Sequence, residues 1–235
     1  MGVAKSLGKQ LGRQLAPRAV SAAPGLSSSV VRQALGYALD GAGPFQGAAT
    51  VAERHRRRHR DAGDVRDPRE RAVETVVDDH VRLAGAQGLV TNLGGLVTAT
   101  VAVPANLMGL VILQSRMVAG VAHLRGYDLD DPRTHNAVLA VLLGSDGVDA
   151  LVTKEKLPAP PMALATAPVH DPAIDQRVSR EVASAMVARV TGKRVASTVA
   201  RRVPVVGGLV GLGADGLHTW QVGKYAESEL RRRGR

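Results

Sequence analysis

Several residue groups in this sequence have spacings that chemistry could use. Gly211, Gly213 and Gly216 form a literal GxGxxG after a valine-rich run, the pattern with which a βαβ unit cradles a pyrophosphate. Such a unit needs a further helix, a second strand and an acid about 20 residues on. Only 19 residues follow Gly216, so close helix packing is the expected use of these glycines. His55 and His59 have the i, i+4 spacing of a metal pair, but five arginines in the same seven residues (54–60) repel a cation. Asp128, Asp130 and Asp131 have the oxygen chemistry of a calcium loop but lack its glycine turn, and Asp131-Pro132 reads better as a helix start. No nucleophile elbow, phosphate-binding loop or zinc-protease pair occurs. The expectation is therefore a non-enzymatic protein with no catalytic residue, cofactor or metal. An enzymatic reading would need a buried cleft joining four polar residues, His80, Gln87, Asn106 and Arg116. His80 and Gln87 share a helix face at i, i+7, and Arg116 shares another with Gly120 and His123. A buried His80–Arg116 neighbourhood would call for an acid such as Asp78 or Asp79.

The elements that must position these residues are helices. Aromatics make up 2% of the 235 residues, so the core has to be built from Val, Leu and Ala, which suits closely packed helices. Three Asp-Pro pairs, Asp67-Pro68, Asp131-Pro132 and Asp171-Pro172, read as N-cap and N1 of successive helices, with Glu70 completing a capping-box spacing after Asp67. The first helix is predicted to reach about Gln87, and the next starts near Asp131. A third runs from Pro172 towards Arg202, in one or two pieces, and a last one from Gly207 to the arginines at 231–233. The prolines between Leu157 and Pro172 suggest a linker. The expected fold class is all-α, a single multi-helix bundle with glycine-rich packed helices, in which 1–39 is a basic N-terminal segment and 40–235 the helical domain.

The charge pattern narrows the partners. There are 31 Lys+Arg against 21 Asp+Glu, a net +10, which favours polyanions. No acid precedes Asp40, and a second acid-free span runs from Val182 to Ala214. Val3, Leu7, Leu11 and Leu15 recur every four residues opposite Lys5, Lys9 and Arg13, a basic amphipathic pattern suited to an anionic surface, weakened by Gly2, Gly8 and Gly12. Lys5, Lys9, Arg13, Arg56, Arg57 and Arg58 are the candidate anionic-surface contacts. Nucleic acid could also draw on this charge, but only unspecifically, because stacking aromatics are sparse. No secretory signal is recognisable, and the Met1-Gly2 myristoylation pattern reads as a chance match. With no cysteine, disulfides and thiolate metal sites are excluded.

From Leu83 to Ser115 run 33 residues without a charge, more than the roughly 20 that span a bilayer. Ten strongly apolar side chains between Leu96 and Leu113 would favour insertion by about 4 kcal/mol. Gly88, Gly94, Gly95, Pro104 and the amides Gln87, Asn92, Asn106 and Gln114 offset most of that. The expected outcome is two buried helices broken near Pro104; the alternatives are a re-entrant hairpin and a stable span. In Val203–Gly216 the glycines Gly207, Gly208, Gly211 and Gly213 are a second packing or membrane segment, where Asp215 and His218 become functional suspects if it is inserted.

Several words in the sequence resemble the bacterial EcsC family: His80-Val81-Arg82-Leu83-Ala84-Gly85-Ala86-Gln87-Gly88-Leu89-Val90-Thr91-Asn92-Leu93-Gly94-Gly95, Val103-Pro104-Ala105-Asn106-Leu107, Gln114-Ser115-Arg116-Met117-Val118 and His123-Leu124-Arg125-Gly126-Tyr127-Asp128. The C-terminal Val203-Pro204-Val205-Val206-Gly207-Gly208 is similar to that family's second glycine-rich segment. The likeness runs from about Asp40 onward; Asn92, Ala99-Thr100-Val101 and the arginines of 54–60 depart from it. The resemblance implies a helical, membrane-associated protein with no established activity. Together these readings lead to an expected membrane-associated helical protein, peripheral or partly embedded at the inner face of the cell membrane, contacting anionic lipid or a membrane complex. The alternatives are a soluble helical interaction module and a non-specific nucleic-acid binder.

Overall fold

The computed structural model describes residues 27–63, 65–93, 99–200 and 207–233, with side chains outside 88–106 and 189–214. Lys5, Lys9, Arg13, Gly94, Gly95 and the side-chain surroundings of Gly88, Pro104, Asn106, Gly207, Gly208, Gly211 and Gly213 thus lie outside the described residues. Within them the chain is all-α: α1 (Ser28–Asp40), a hairpin of β1 (Gly41–Ala42) and β2 (Phe45–Gln46), α2 (Ala48–Asp61), α3 (Pro68–Leu93), α4 (Ala99–Leu124), α5 (Pro132–Val141), α6 (Ser145–Thr153), α7 (Pro161–Ala165), α8 (Pro172–Ala200) and α9 (Gly207–Glu229).

All three Asp-Pro pairs start helices, for the reason the sequence suggests. The carboxylates of Asp67, Asp131 and Asp171 accept from the backbone N–H of Arg69, Arg133 and Ala173 at 2.9, 2.8 and 2.9 Å, groups that have no intrahelical partner. Glu70 is not used in a capping box; its carboxylate accepts from Arg125 Nη2 at 2.9 Å. The break expected near Pro104 falls elsewhere. α3 continues to Leu93, α4 begins at Ala99, and Pro104 lies inside α4. Pro104 has no N–H to give to Thr100 O, yet the helix continues through it. The segment expected to be a proline-rich linker, 157–172, carries α7 and buries Leu157, Pro161 and Leu164.

α3 is the central helix, flanked by α2, α4 and α9, while α1, α5 and α8 extend the same core. Small residues set the closest approaches. A Cβ at Gly223 of α9 would lie 2.6 Å from Val77 Cγ1, and one at Gly216 would meet the backbone of Val81 and Gly85 at 3.6 and 3.7 Å. Gly120 of α4 packs under Val76, and Gly109 under Gln87. Read in order, these pairs make α4 and α9 both antiparallel to α3.

Candidate functional site

His80 projects from α3 into the core, 2% exposed. Arg116 meets it from α4. Arg116 Nε donates to His80 Nε2 at 3.1 Å, and His80 Nδ1 lies 2.7 Å from the carbonyl of Val76, one turn back. A carbonyl only accepts and a guanidinium only donates, so the imidazole carries its single proton on Nδ1 and is neutral. Burial is the main reason its pKa is pushed down to about 4, with Arg116 adding to the depression. Burial also lowers the pKa of Arg116.

The carboxylate partner expected for this pair is not used. Asp79 lies 3.5 Å from His55 Nε2 and 3.8 Å from Arg82 Nη1, and Asp78 is exposed. A neutral histidine supplies the acceptor instead. Of the four residues in the expected network, His80 and Arg116 are in direct contact. Gln87 packs over Gly109, where a Cβ would come within 2.8 Å of its Nε2, two turns of α4 from Arg116. The side chain of Asn106 is outside the described residues.

The arginine-rich helix α2 sorts its residues by face. His55 and His59 turn inward, the latter 2.8 Å from Thr75 Oγ1, so the metal-like spacing is spent on contacts with α3. Burial lowers the pKa of His55, with Asp79 opposing and Arg58 and Arg54 reinforcing the effect. Arg56 is paired with Glu53 at 2.7 Å; the other oxygen of Glu53 lies 3.3 Å from His123 Nε2. Arg54, Arg57 and Arg58 are exposed on one stripe along a shallow groove shared with Gln46 and Thr50, and among the described residues they form no ion pair.

Three polar clusters escaped the sequence reading. Asp175 at the start of α8 accepts from Arg32 of α1, Asn136 of α5 and His170 at 3.2, 2.8 and 2.9 Å; these bonds outweigh its burial and hold its pKa below the usual carboxylate value. Gln114 of α4 reaches His218 and Thr219 of α9 at 2.9 and 3.1 Å, and its Oε1 and the buried Ser115 Oγ have no protein partner. The third is a clamp at the end of α4. Gly126, at φ +88°, closes the helix with Tyr127 N–H on Ala122 O, a Schellman ending that favours glycine. Arg125 then bonds Glu70 and the carbonyl of Glu227, and Tyr127 Oη donates to Arg231 O at 3.0 Å. The recurrent word His123–Asp128 is thus the fastening of the last helix.

At their other end α3, α4 and α9 carry no charge in their own sequences. Pairing of His80 with Arg116 and Gln87 with Gly109, and of Gly216 with Gly85, puts the end of α3, the start of α4 and the start of α9 at the same end of the three helices. These stretches, 83–93, 99–115 and 207–214, contain no charged residue. At their base Leu83, Leu217 and Trp220 are 48%, 58% and 45% exposed, and Arg82 and Arg116 mark the boundary. The apolar window Leu107–Leu124 of α4 is itself 72% buried within the protein.

No curated protein and no solved structure matches the chain. The profile of the EcsC protein family matches residues 26–234. That span includes His80, Arg116, the clamp and the charge-free helix ends, and covers nearly the whole length. The chain belongs to the EcsC protein family.

Proposed function

We propose that the protein is a non-enzymatic, membrane-associated helical protein, peripheral or partly embedded, working at the inner face of the cell membrane against anionic lipid or a membrane complex. The observation that supports this reading is the shared charge-free end of α3, α4 and α9, bordered by exposed Leu83, Leu217 and Trp220 and then by Arg82 and Arg116. Apolar tips with an arginine border match the depth profile of a bilayer, in which the apolar part enters and long cations stay at the phosphates. The exposed stripe of Arg54, Arg57 and Arg58 adds attraction for anionic lipid that salt screens. The test is flotation with vesicles containing phosphatidylglycerol. Protein should rise with the vesicles at low salt and less so as salt increases; recovery at the bottom of the gradient at low salt overturns the proposal.

A second reading, a soluble interaction module, draws on a specific observation too: most of the apolar window in α4 is buried by the protein itself. It predicts a monodisperse protein without detergent and no change on adding lipid.

A further inference from the structure

Arg116 differs from the other arginines anchored in the helical body. Arg125 has Glu70, Arg133 has Asp131 and Arg32 has Asp175. Among the described residues Arg116 has no carboxylate; its one bond, through Nε, goes to neutral His80. A partly buried cation without an anion is costly, and Asp79, one residue before His80 in sequence, is engaged by His55 and Arg82. His80 is itself fixed by Val76 O, so it orients the guanidinium without cancelling its charge. Among the described residues neither Nη1 nor Nη2 of Arg116 has a hydrogen-bond partner, and a guanidinium keeps its charge. Two terminal donors in a plane fit two oxygens of a phosphate. Arg116 also stands where the 33-residue uncharged stretch ends, the depth at which a lipid phosphate would meet it if that stretch enters a bilayer.

We propose that the Nη1/Nη2 edge of Arg116, held in orientation by His80, is a phosphate-binding site. The inference rests on the membrane reading only for the source of the phosphate, a lipid headgroup or a free phosphate, and not for the chemistry of the site. His80 is a positioning residue here and Arg116 the contact.

The test uses the full chain and follows the Nε–H resonance of Arg116 by NMR. Inorganic phosphate is titrated against chloride at constant ionic strength, and phosphatidylglycerol vesicles against phosphatidylcholine vesicles. A saturable shift is expected, and Arg116→Gln, followed at the backbone amides around position 116, should weaken the binding by about tenfold or more, the range for a charge-assisted hydrogen bond. Arg116→Lys, which keeps the charge and loses the fork, should fall between. A shift with vesicles alone assigns a lipid phosphate. A shift with inorganic phosphate and no flotation supports the site, makes free phosphate its ligand and overturns the membrane reading. Flotation undiminished in Arg116→Gln, with no phosphate-dependent shift, overturns this inference and leaves the membrane reading standing. No response to either probe overturns both. Should Arg116→Gln fail to fold, the wild-type resonance still decides, because an unmoved Nε–H with both probes refutes the site.

Discussion

Replacing Gly223 with alanine sets two effects of known sign against each other. A helical glycine gives up about 1 kcal/mol relative to alanine, so the substitution gains that much wherever there is room. At Gly223 there is none: the new Cβ would sit 2.6 Å from Val77 Cγ1, 3.3 Å from Cγ2 and 3.4 Å from Met117 Sδ. Val77 and Met117 are buried, and a valine in a helix has essentially one χ1 rotamer. Relief therefore requires α9 to move off α3, and overpacking of this kind costs about 1–3 kcal/mol. The net expectation is a loss of about 0–2 kcal/mol, or a Tm lower by up to roughly 8 °C in a chain of this size. Gly36, inside α1, is the control. Nothing lies within 4 Å of its would-be Cβ, so Gly36→Ala should raise stability by about 0.5–1 kcal/mol. Thermal and urea melts of both variants are the assay, with Gly223→Ala/Val77→Ala added to measure the coupling. If Gly223→Ala stabilises as Gly36→Ala does, close approach is not what the glycine in α9 provides, and the account of the α3–α9 seam is wrong.

Other consequences can be checked alongside. His80 has a folded pKa of about 4 against about 6.5 for an unfolded histidine; the unfolded chain therefore binds the extra proton between these values, and stability must fall as pH drops from 6.5 to 4. The size is about 3 kcal/mol, and His80→Gln, which keeps an acceptor for Arg116 but does not titrate, should flatten that part of a urea-melt pH series; an unchanged slope refutes the assignment. Asp175→Ala leaves Arg32, Asn136 and His170 without their common acceptor and should cost about 3 kcal/mol in the same melts, a cost no larger than 0.5 kcal/mol contradicting its structural role. Because the pKa of Asp175 is lowered, the stability it supplies is complete above the unfolded carboxylate pKa and is lost as pH falls through its own. Tyr127→Phe removes only the bond to Arg231 O and should cost about 1 kcal/mol, with faster amide exchange at the end of α9.

What was legible in the sequence was chemistry that acts within a turn. Asp67, Asp131 and Asp171 could be read as caps because donor and acceptor lie two residues apart. Pro104 misled because a proline inside a helix weakens it without always ending it, and where α4 begins is not written in its neighbours. The family words pointed to the right residues, yet His123–Asp128 serves to fasten α9 to α4. The His80–Arg116 pair was half legible: spacing could suggest the neighbourhood but not that a neutral imidazole replaces an acid, which depends on burial. Asp175 gathers Arg32 from 143 positions away, and no local pattern announces that. Arg56 and Arg57 look alike in sequence; only the position of Glu53 on the folded helix separates them.

The clamp at the end of α4 gives the molecule a solvent polarity along its long axis. There Arg125 with Glu70, Arg232 with Asp67 and Tyr127 with Arg231 lash α3, α4 and α9 together by ionic and polar ties. The far end of the same three helices has no charge in its sequence. Salt and acid therefore act directly on the ties at one end of these helices, while the other end offers them no charged group in the sequences of the three helices themselves.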